Sequence, residues 1–552
     1  MITTRSLRAA AVCAAAFSLA LPGAAAAQRG GQEFDVQLLA FNDFHGNLES
    51  GGTVTLPDGT RTPAGGVAYL DTHLDRLRAT NPRATFTISS GDLIGASPLV
   101  SALFKDEPTI EAMNILGLDM NAVGNHEFDE GIDELERMRY GGCHPDEGCF
   151  GGDGFEGADF PFLAANVVHE RTGETIFPPY VIHRVGGERI AFVGTVLEET
   201  PSVVSQSGVA GLDFRDEADA MNALMPELKR RGVETVIAVV HQGGVQEGQN
   251  ASYNDCKDLQ GPIVDIVERT SDEVDVFLSG HTHQGYNCEV DGRTVISGLS
   301  FGRLISDVDL TINRRTGETT DVRAVNRIVT QDVTPDAELQ ALVASYQALA
   351  APIAARPIGE TSAAITRETT PAGESALGAI IADAQLAATS SPETGGAQIA
   401  FMNPGGIRNS LDAGTVTYGE AFAVQPFNNY LVTMTLTGAQ IKRLLAQQFN
   451  NPEAGRSRIL QVSEGFTYSY SWSGSGEATI TDVRLNGVPI DDAASYRVTV
   501  NSFLAEGGDA FTVLKEGTDR LIGGLDIDAF AAYLTANSPL TPPAANRITK
   551  LG

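Results

Sequence analysis

Five short stretches gather the side chains that could do chemistry. "FNDFHGN" offers Asp43 and His45, "SSGDLIG" offers Asp92, "VGNHEFDEG" offers Asn125, His126 and Asp129, "VVHQGG" offers His241, and "SGHTHQG" offers His281 and His283. Five of the nine histidines fall in these stretches, while His73, His144, His169 and His183 are scattered. Asp-x-His and His-x-His alternation puts both side chains on one side of an extended segment. Mixed nitrogen and oxygen donors suit zinc, manganese, iron or cobalt better than calcium. Asp43, His45, Asp92, Asn125, His241, His281 and His283 are too many for one tetrahedral ion and match two divalent ions sharing a carboxylate, with Asp92 as the candidate bridge. Between two such ions a water becomes a hydroxide nucleophile, and a phosphoryl oxygen can meet both metals. Each stretch alone occurs by chance, but five in order, each behind an apolar run, are harder to ascribe to composition.

His126 stands outside this ligand set. Asp129, three residues on at a helix start, can hold one imidazole nitrogen while the other points into the site. Such a histidine stabilises developing negative charge or protonates a leaving oxygen, so His126 and Asp129 are the candidate catalytic pair.

Elements must carry these residues. Apolar runs precede each of them: "VQLLAF", "ATFTIS", "NAV", "VIAVV" and "VDVFLS", alternating with helical stretches from residue 35 to about 312. The pattern predicts α/β layering with the polar residues at strand carboxyl ends, where loops of an open sheet converge on one crevice. A helix is expected in "TPDAELQALVASYQALAAPI", with Thr334 as N-cap, Pro335 in first position and Pro352 and Pro357 as stops. The division expected is a dimetal domain over 28–333, a connector over 334–358 and a substrate-binding domain over 359–552. That last part has a helical segment at "ALGAIIADAQLAA" and strand-like pieces "YLVTMTLTG", "FTYSYSWSG" and "YRVTVNSFL".

Residues 1–27 read as an export signal: Arg5 and Arg8, an alanine-rich apolar run, then small residues at Ala25 and Ala27. The mature chain is expected to start near Gln28, in the periplasm or secreted. Losing the two arginines moves the net charge from −32 to −34, which disfavours nucleic-acid polymers and anionic membranes as partners. No later segment reads as a membrane span, and the tail "NRITKLG" carries no hydrophobic anchor. Cysteines 143, 149, 256 and 288 allow three connectivities in an oxidising compartment. Cys143 with Cys149 and Cys256 with Cys288 is favoured, with a thiolate zinc site as the competing idea.

Taken together, these motifs resemble the metallophosphoesterase superfamily, and more closely the exported 5'-nucleotidase family that includes bacterial UDP-sugar hydrolases and 2',3'-cyclic phosphodiesterases. The resemblance covers nearly all of the mature chain. It implies a four-layered α/β/β/α metallophosphoesterase domain followed by an α+β nucleotide-binding domain. By motif match, Asp43, His45, Asp92 and His283 resemble one metal site and Asp92, Asn125, His241 and His281 the other, with zinc or manganese as the ions. "NPGGIRNSL", "VQPFNNYL" and "NSFLAEGGDAF" resemble the family's substrate loops. They imply that Phe427 and Phe503 sandwich the base, Asn403 approaches it, Arg408 reaches ribose or phosphate, and Asp509 binds the ribose hydroxyls. Stacking tolerates different bases, since each has a π-face. The chain departs from the pattern at "ESALGAIIADA", where Ala379 replaces a polar or basic residue and an expected arginine is missing, with Arg367 as a substitute. The expected function is hydrolysis of small nucleotides by a metal-bound hydroxide. Cyclic nucleotides, UDP-sugars or a sulfur ester are alternative substrates, and a non-catalytic nucleotide-binding surface protein is the rival of another class.

Overall fold

The computed structural model describes residues 32–551 except 57, 151–153, 206–207, 247–251 and 453, so the expected export signal, with Cys13, lies outside the described residues. Two six-stranded sheets build the first half. One runs in the order Thr319–Ile328, Leu304–Asn313, Glu33–Phe41, Thr85–Ser89, Met120–Ala122 and Phe162–Leu163. The other runs Gly285–Val290, Arg293–Gly298, Val276–Ser279, Thr235–His241, Glu188–Val196 and Tyr180–Val185. Their central strands are parallel. The sheets face one another through Val36, Leu38, Ile88, Met120, Phe192, Ile237, Val239 and Leu278, all buried. Helices Val67–Arg78, Glu107–Leu116 and Ile132–Tyr140 cover the outer face of the first sheet. Glu217–Arg230 and Pro262–Arg269 cover that of the second, completing the α/β/β/α sandwich. Sheets covered on both faces need strands that are apolar throughout, and Thr235–His241 is buried at every position.

Helix Ala337–Ala354 differs from expectation at both ends. Its N-cap is Asp336, not Thr334: the carboxylate accepts the N–H groups of Glu338 and Leu339, each at 2.9 Å. An anion accepting two orphan N–H groups suits a helix N-terminus better than a neutral hydroxyl. The helix also runs through Pro352. The carbonyl that loses its helical partner there is four residues back, on the exposed residue Ala348. Its buried stripe, Leu339, Val343, Tyr346 and Ala350, packs into the core of the first half.

The second half is α+β. A five-stranded sheet runs in the order Gln461–Val462, Ile399–Met402, Ser495–Asn501, Tyr430–Thr437 and Thr518–Leu525, beside a four-stranded sheet that includes Phe466–Ser471 and Ile548–Lys550. Helix Ala376–Thr389, capped by the Ser375 hydroxyl, is buried along most of its length. The favoured cysteine pairing is formed, Cys143 with Cys149 and Cys256 with Cys288, at Cα separations of 4.5 and 4.9 Å. The thiols are thereby consumed, which removes the alternative of a thiolate zinc site. Among the described residues no helix is long and apolar enough to cross a membrane.

Candidate dimetal site and the cleft it faces

The seven expected donors lie at strand carboxyl ends, and the backbone there turns sharply. Asp43, His45, Asp92, His281 and His283 have φ of 50°, 47°, 52°, 69° and 54°. Left-handed backbone costs a residue other than glycine about 1–3 kcal/mol and persists only where its surroundings enforce it. Here they do: Asp43 N–H donates to Gly91 O (3.0 Å), His45 N–H to Asp92 O (2.9 Å) and Phe301 N–H to Asp43 O (2.7 Å). Close approach demands glycine at 124, where a Cβ would stand 2.1 Å from Asp92 Oδ1.

Backbone carbonyls fix the histidine tautomers. His45 Nδ1 lies 2.7 Å from Gly95 O, and His241 Nδ1 lies 2.7 Å from Ser90 O. A carbonyl only accepts, so each Nδ1 carries the proton and each Nε2 turns a lone pair inward. His45 Nε2 sits 3.5 Å from Asp92 Oδ2 and 3.2 Å from His283 Nε2, which in turn is 3.4 Å from Asp43 Oδ1. His241 Nε2 sits 3.0 Å from Asp92 Oδ2 and 3.2 Å from Asn125 Oδ1, and His281 Nδ1 is 3.0 Å from the same amide oxygen. Two donor groups meet at Asp92: Asp43, His45 and His283 on one side, Asn125, His241 and His281 on the other. These converging donor atoms, with the opposite ring nitrogen of His45 and of His241 tied to a carbonyl, fit two divalent cations. These side chains also titrate strongly against one another. Burial disfavours the His241 imidazolium, but the Asp92 carboxylate outweighs it and pushes its pKa up to about 10. Burial, then the His241 charge, push His281 down to about 3.

His126 and Asp129 meet as expected on geometry: Nδ1 lies 2.8 Å from Asp129 Oδ2 across the single 3-10 turn His126–Phe128, which Asp129 caps. Nε2 is then the ring atom left for the cleft that His126 lines. Burial works against its cationic form, yet Asp129 and Asp92 hold its pKa above the ordinary value. Its backbone N–H also donates to Asp92 Oδ1 at 2.9 Å, tying it to the metal donors.

Sequence reasoning missed several supports. The Glu127 carboxylate accepts the N–H groups of Asp92 (2.9 Å), Leu93 (3.0 Å) and Gly124 (2.8 Å), pinning two strand ends together. Its place directly after His126, at a position buried among apolar strand ends, was the available signal. Asn42 bonds both Asp43 and the backbone of Leu299.

The second half faces this site across a cleft lined by Asn125, His126, Asp129 and His281 and by Asn403, Arg408, Phe427, Phe503 and Asp509. The Phe427 ring stacks on His126, centroids 5.7 Å apart and planes 23° from parallel, and the Arg408 guanidinium lies 5.8 Å from the Phe427 ring centroid. Asn403 Nδ2 donates to Asp509 Oδ2 at 3.0 Å. Arg458, which sequence reasoning did not find, pairs with Asp509 Oδ1 at 2.8 Å. Arg367 does not line the cleft: its guanidinium donates to the carbonyls of Ile407 and Arg408 and braces their loop. Ala379 is buried.

Two family models match: the calcineurin-like phosphoesterase over residues 36–285 and the 5'-nucleotidase, C-terminal domain, over 357–516. The endonuclease YhcR of Bacillus subtilis is 32% identical across 93% of this chain, although the chain spans only 41% of that protein's length. The cell wall protein Lmo0130 of Listeria monocytogenes is 31% identical over 91% of this chain and 67% of its own. Among solved structures, the 5'-nucleotidase precursor from Thermus thermophilus superposes with a TM-score of 0.77 at 27% identity, covering 94% of this chain and 99% of that one.

Proposed function

From a chain that belongs to the 5'-nucleotidase family of calcineurin-like phosphoesterases, and so is a phosphoester hydrolase, we propose an exported enzyme that splits nucleoside 5'-monophosphates into nucleoside and orthophosphate. The observation that supports this most is the shared cleft. His126, two of the candidate metal donors (Asn125 and His281), the Phe427 ring and Asp509 all line one space between the halves.

In this reading residues 28–333 hold the ions, 359–552 recognise the nucleoside and 334–358 connect them. Asp43, His45, Asp92 and His283 hold one divalent ion, and Asp92, Asn125, His241 and His281 the other, with zinc or manganese the ions these donors suit. When bound, the ions supply Lewis-acid charge and a nucleophile at neutral pH. His126 donates from Nε2 to the leaving 5'-oxygen, and Asp129 keeps its imidazole oriented and protonated. Arg408 contributes positive charge beside the phosphate, Phe427 and Phe503 stack the base, Asn403 approaches it, and Asp509 accepts from the ribose hydroxyls. Export is supported by the leading segment of the sequence and by the relative named as a cell wall protein. The endonuclease name of the other relative favours a second reading, phosphodiester cleavage, against which the net charge of −32 weighs for any polymer.

A substrate panel separates these. Purified protein with manganese is offered AMP, ADP, UDP-glucose, 2',3'-cyclic AMP and a short RNA. Highest kcat/KM on AMP is expected. A higher value on the cyclic nucleotide or the RNA would transfer the assignment to phosphodiesters.

A further inference from the structure

We propose that Arg458 is a positioning residue that holds Asp509 as a gauge for the ribose, so that preference for ribonucleotides over 2'-deoxyribonucleotides depends on this arginine. The inference rests on the reading above, in which Asp509 meets the sugar.

Asp509 is 7% exposed and sits at a left-handed φ of 54°, in a turn that aims its carboxylate into the cleft. A carboxylate offers about four lone-pair positions over its two oxygens. Arg458 Nη1 takes one on Oδ1 at 2.8 Å, and Asn403 Nδ2 takes one on Oδ2 at 3.0 Å. One acceptor position is left on each oxygen, matching two vicinal hydroxyls that each donate once. A deoxyribose, lacking one hydroxyl, leaves one of these buried acceptors unmet, and such a loss discriminates more strongly than a lost apolar contact.

Arg458 has the position this task requires. Its side chain lines the cleft and is 24% exposed, so the pair faces the substrate space and is not sealed in the core. Its backbone is anchored by a 2.8 Å bond from Arg458 N–H to Gln448 O, and Asn451 Nδ2 donates to Asp509 O at 2.7 Å, so one segment fixes both partners. The other cations on the cleft are engaged elsewhere. Lys105 pairs with Glu130 and Glu147, and Arg408 lies over Phe427. Burial raises the Asp509 carboxyl above its ordinary pKa, with Arg458 and then Asn403 opposing. Removing the arginine therefore weakens both the charge and the aim of the acceptor.

The test compares the manganese-loaded parent with Arg458→Gln and Arg458→Lys on AMP, 2'-deoxy-AMP and p-nitrophenyl phosphate, which has no ribose and reports the metal centre alone. The parent is expected to favour AMP over 2'-deoxy-AMP by roughly tenfold or more in kcat/KM. In Arg458→Gln that ratio falls toward one, chiefly through a higher KM for AMP, while p-nitrophenyl phosphate turnover stays at the parent level. Arg458→Lys keeps the charge but not the forked geometry, so its ratio lies roughly two- to fivefold below the parent. An unchanged ratio in Arg458→Gln would overturn the inference alone. If Arg458→Gln also lost p-nitrophenyl phosphate turnover, misfolding would be indicated, and a parent-like ratio in Arg458→Lys would overturn the inference instead. A parent that cleaves p-nitrophenyl phosphate but not AMP would sink the nucleotidase reading and this inference with it.

Discussion

His126 is useful only while its Nδ1 is held, and Asp129 is the group that holds it at 2.8 Å. Asp129→Asn can keep a hydrogen bond but not the negative charge that sustains an imidazolium. We expect kcat on AMP to fall by roughly a hundredfold or more with metal content unchanged by elemental analysis; parent-like kcat would remove Asp129 from the account. Away from the metal donors, Glu217 carries a second residue-scale consequence. Burial, with repulsion from Glu199 and Asp216, pushes its pKa up to about 8 from 4.5. Between those values the folded chain binds a proton that the unfolded chain has released, so stability declines as pH rises through the window. The melting temperature should therefore drop between about pH 5 and 8.5, and Glu217→Gln should flatten that drop; equal slopes would contradict the assignment. Legibility also divides at this scale. The clustering of the candidate donors was readable because a metal needs particular residue types behind buried strands. Arg458 was not, because its partner lies far along the chain and nothing near "GRSRIL" marks the meeting.

Strand ends are the elements that make the site. Each parallel strand stops under the crevice, and left-handed turns at Asp43, His45, Asp92, His281 and His283 re-aim the side chains. These turns leave no room at Gly124, where an added Cβ would stand 2.1 Å from Asp92 Oδ1. Gly124→Ala should lose metal before it loses fold: elemental analysis is expected to find about one ion per chain or fewer, with circular dichroism near the parent. Full loading of that variant would show the turn to be looser than described. The strands themselves were legible as continuous apolar runs, since both faces of each sheet are covered. Helix Ala337–Ala354 was less so, because Asp336 outcompetes Thr334 as cap and the helix continues through Pro352, whose missing N–H falls to a carbonyl on an exposed residue. Both outcomes depend on surroundings that local sequence does not carry.

Across the whole molecule, the candidate metal donors and Phe427 belong to different halves that meet directly. Phe427 lies on His126, and Ser205 Oγ donates to Glu506 Oε2 at 3.0 Å. A nucleotide base stacked on Phe427 must take space beside His126, so the halves are expected to shift when substrate binds. The helix Ala337–Ala354 buries its stripe in the first half, which locates the expected pivot at 355–357, narrower than the connector read from sequence. Small-angle scattering with and without a non-hydrolysed AMP analogue should give different profiles; superimposable ones would argue for fixed halves. The central claim, a two-ion nucleotidase, is tested most directly by stripping the protein with chelator, reloading it with manganese or zinc, counting bound ions and measuring phosphate released from AMP. About two ions per chain are expected, with turnover that returns as they bind. Two bound ions without phosphate release from AMP, under either metal, would contradict that claim.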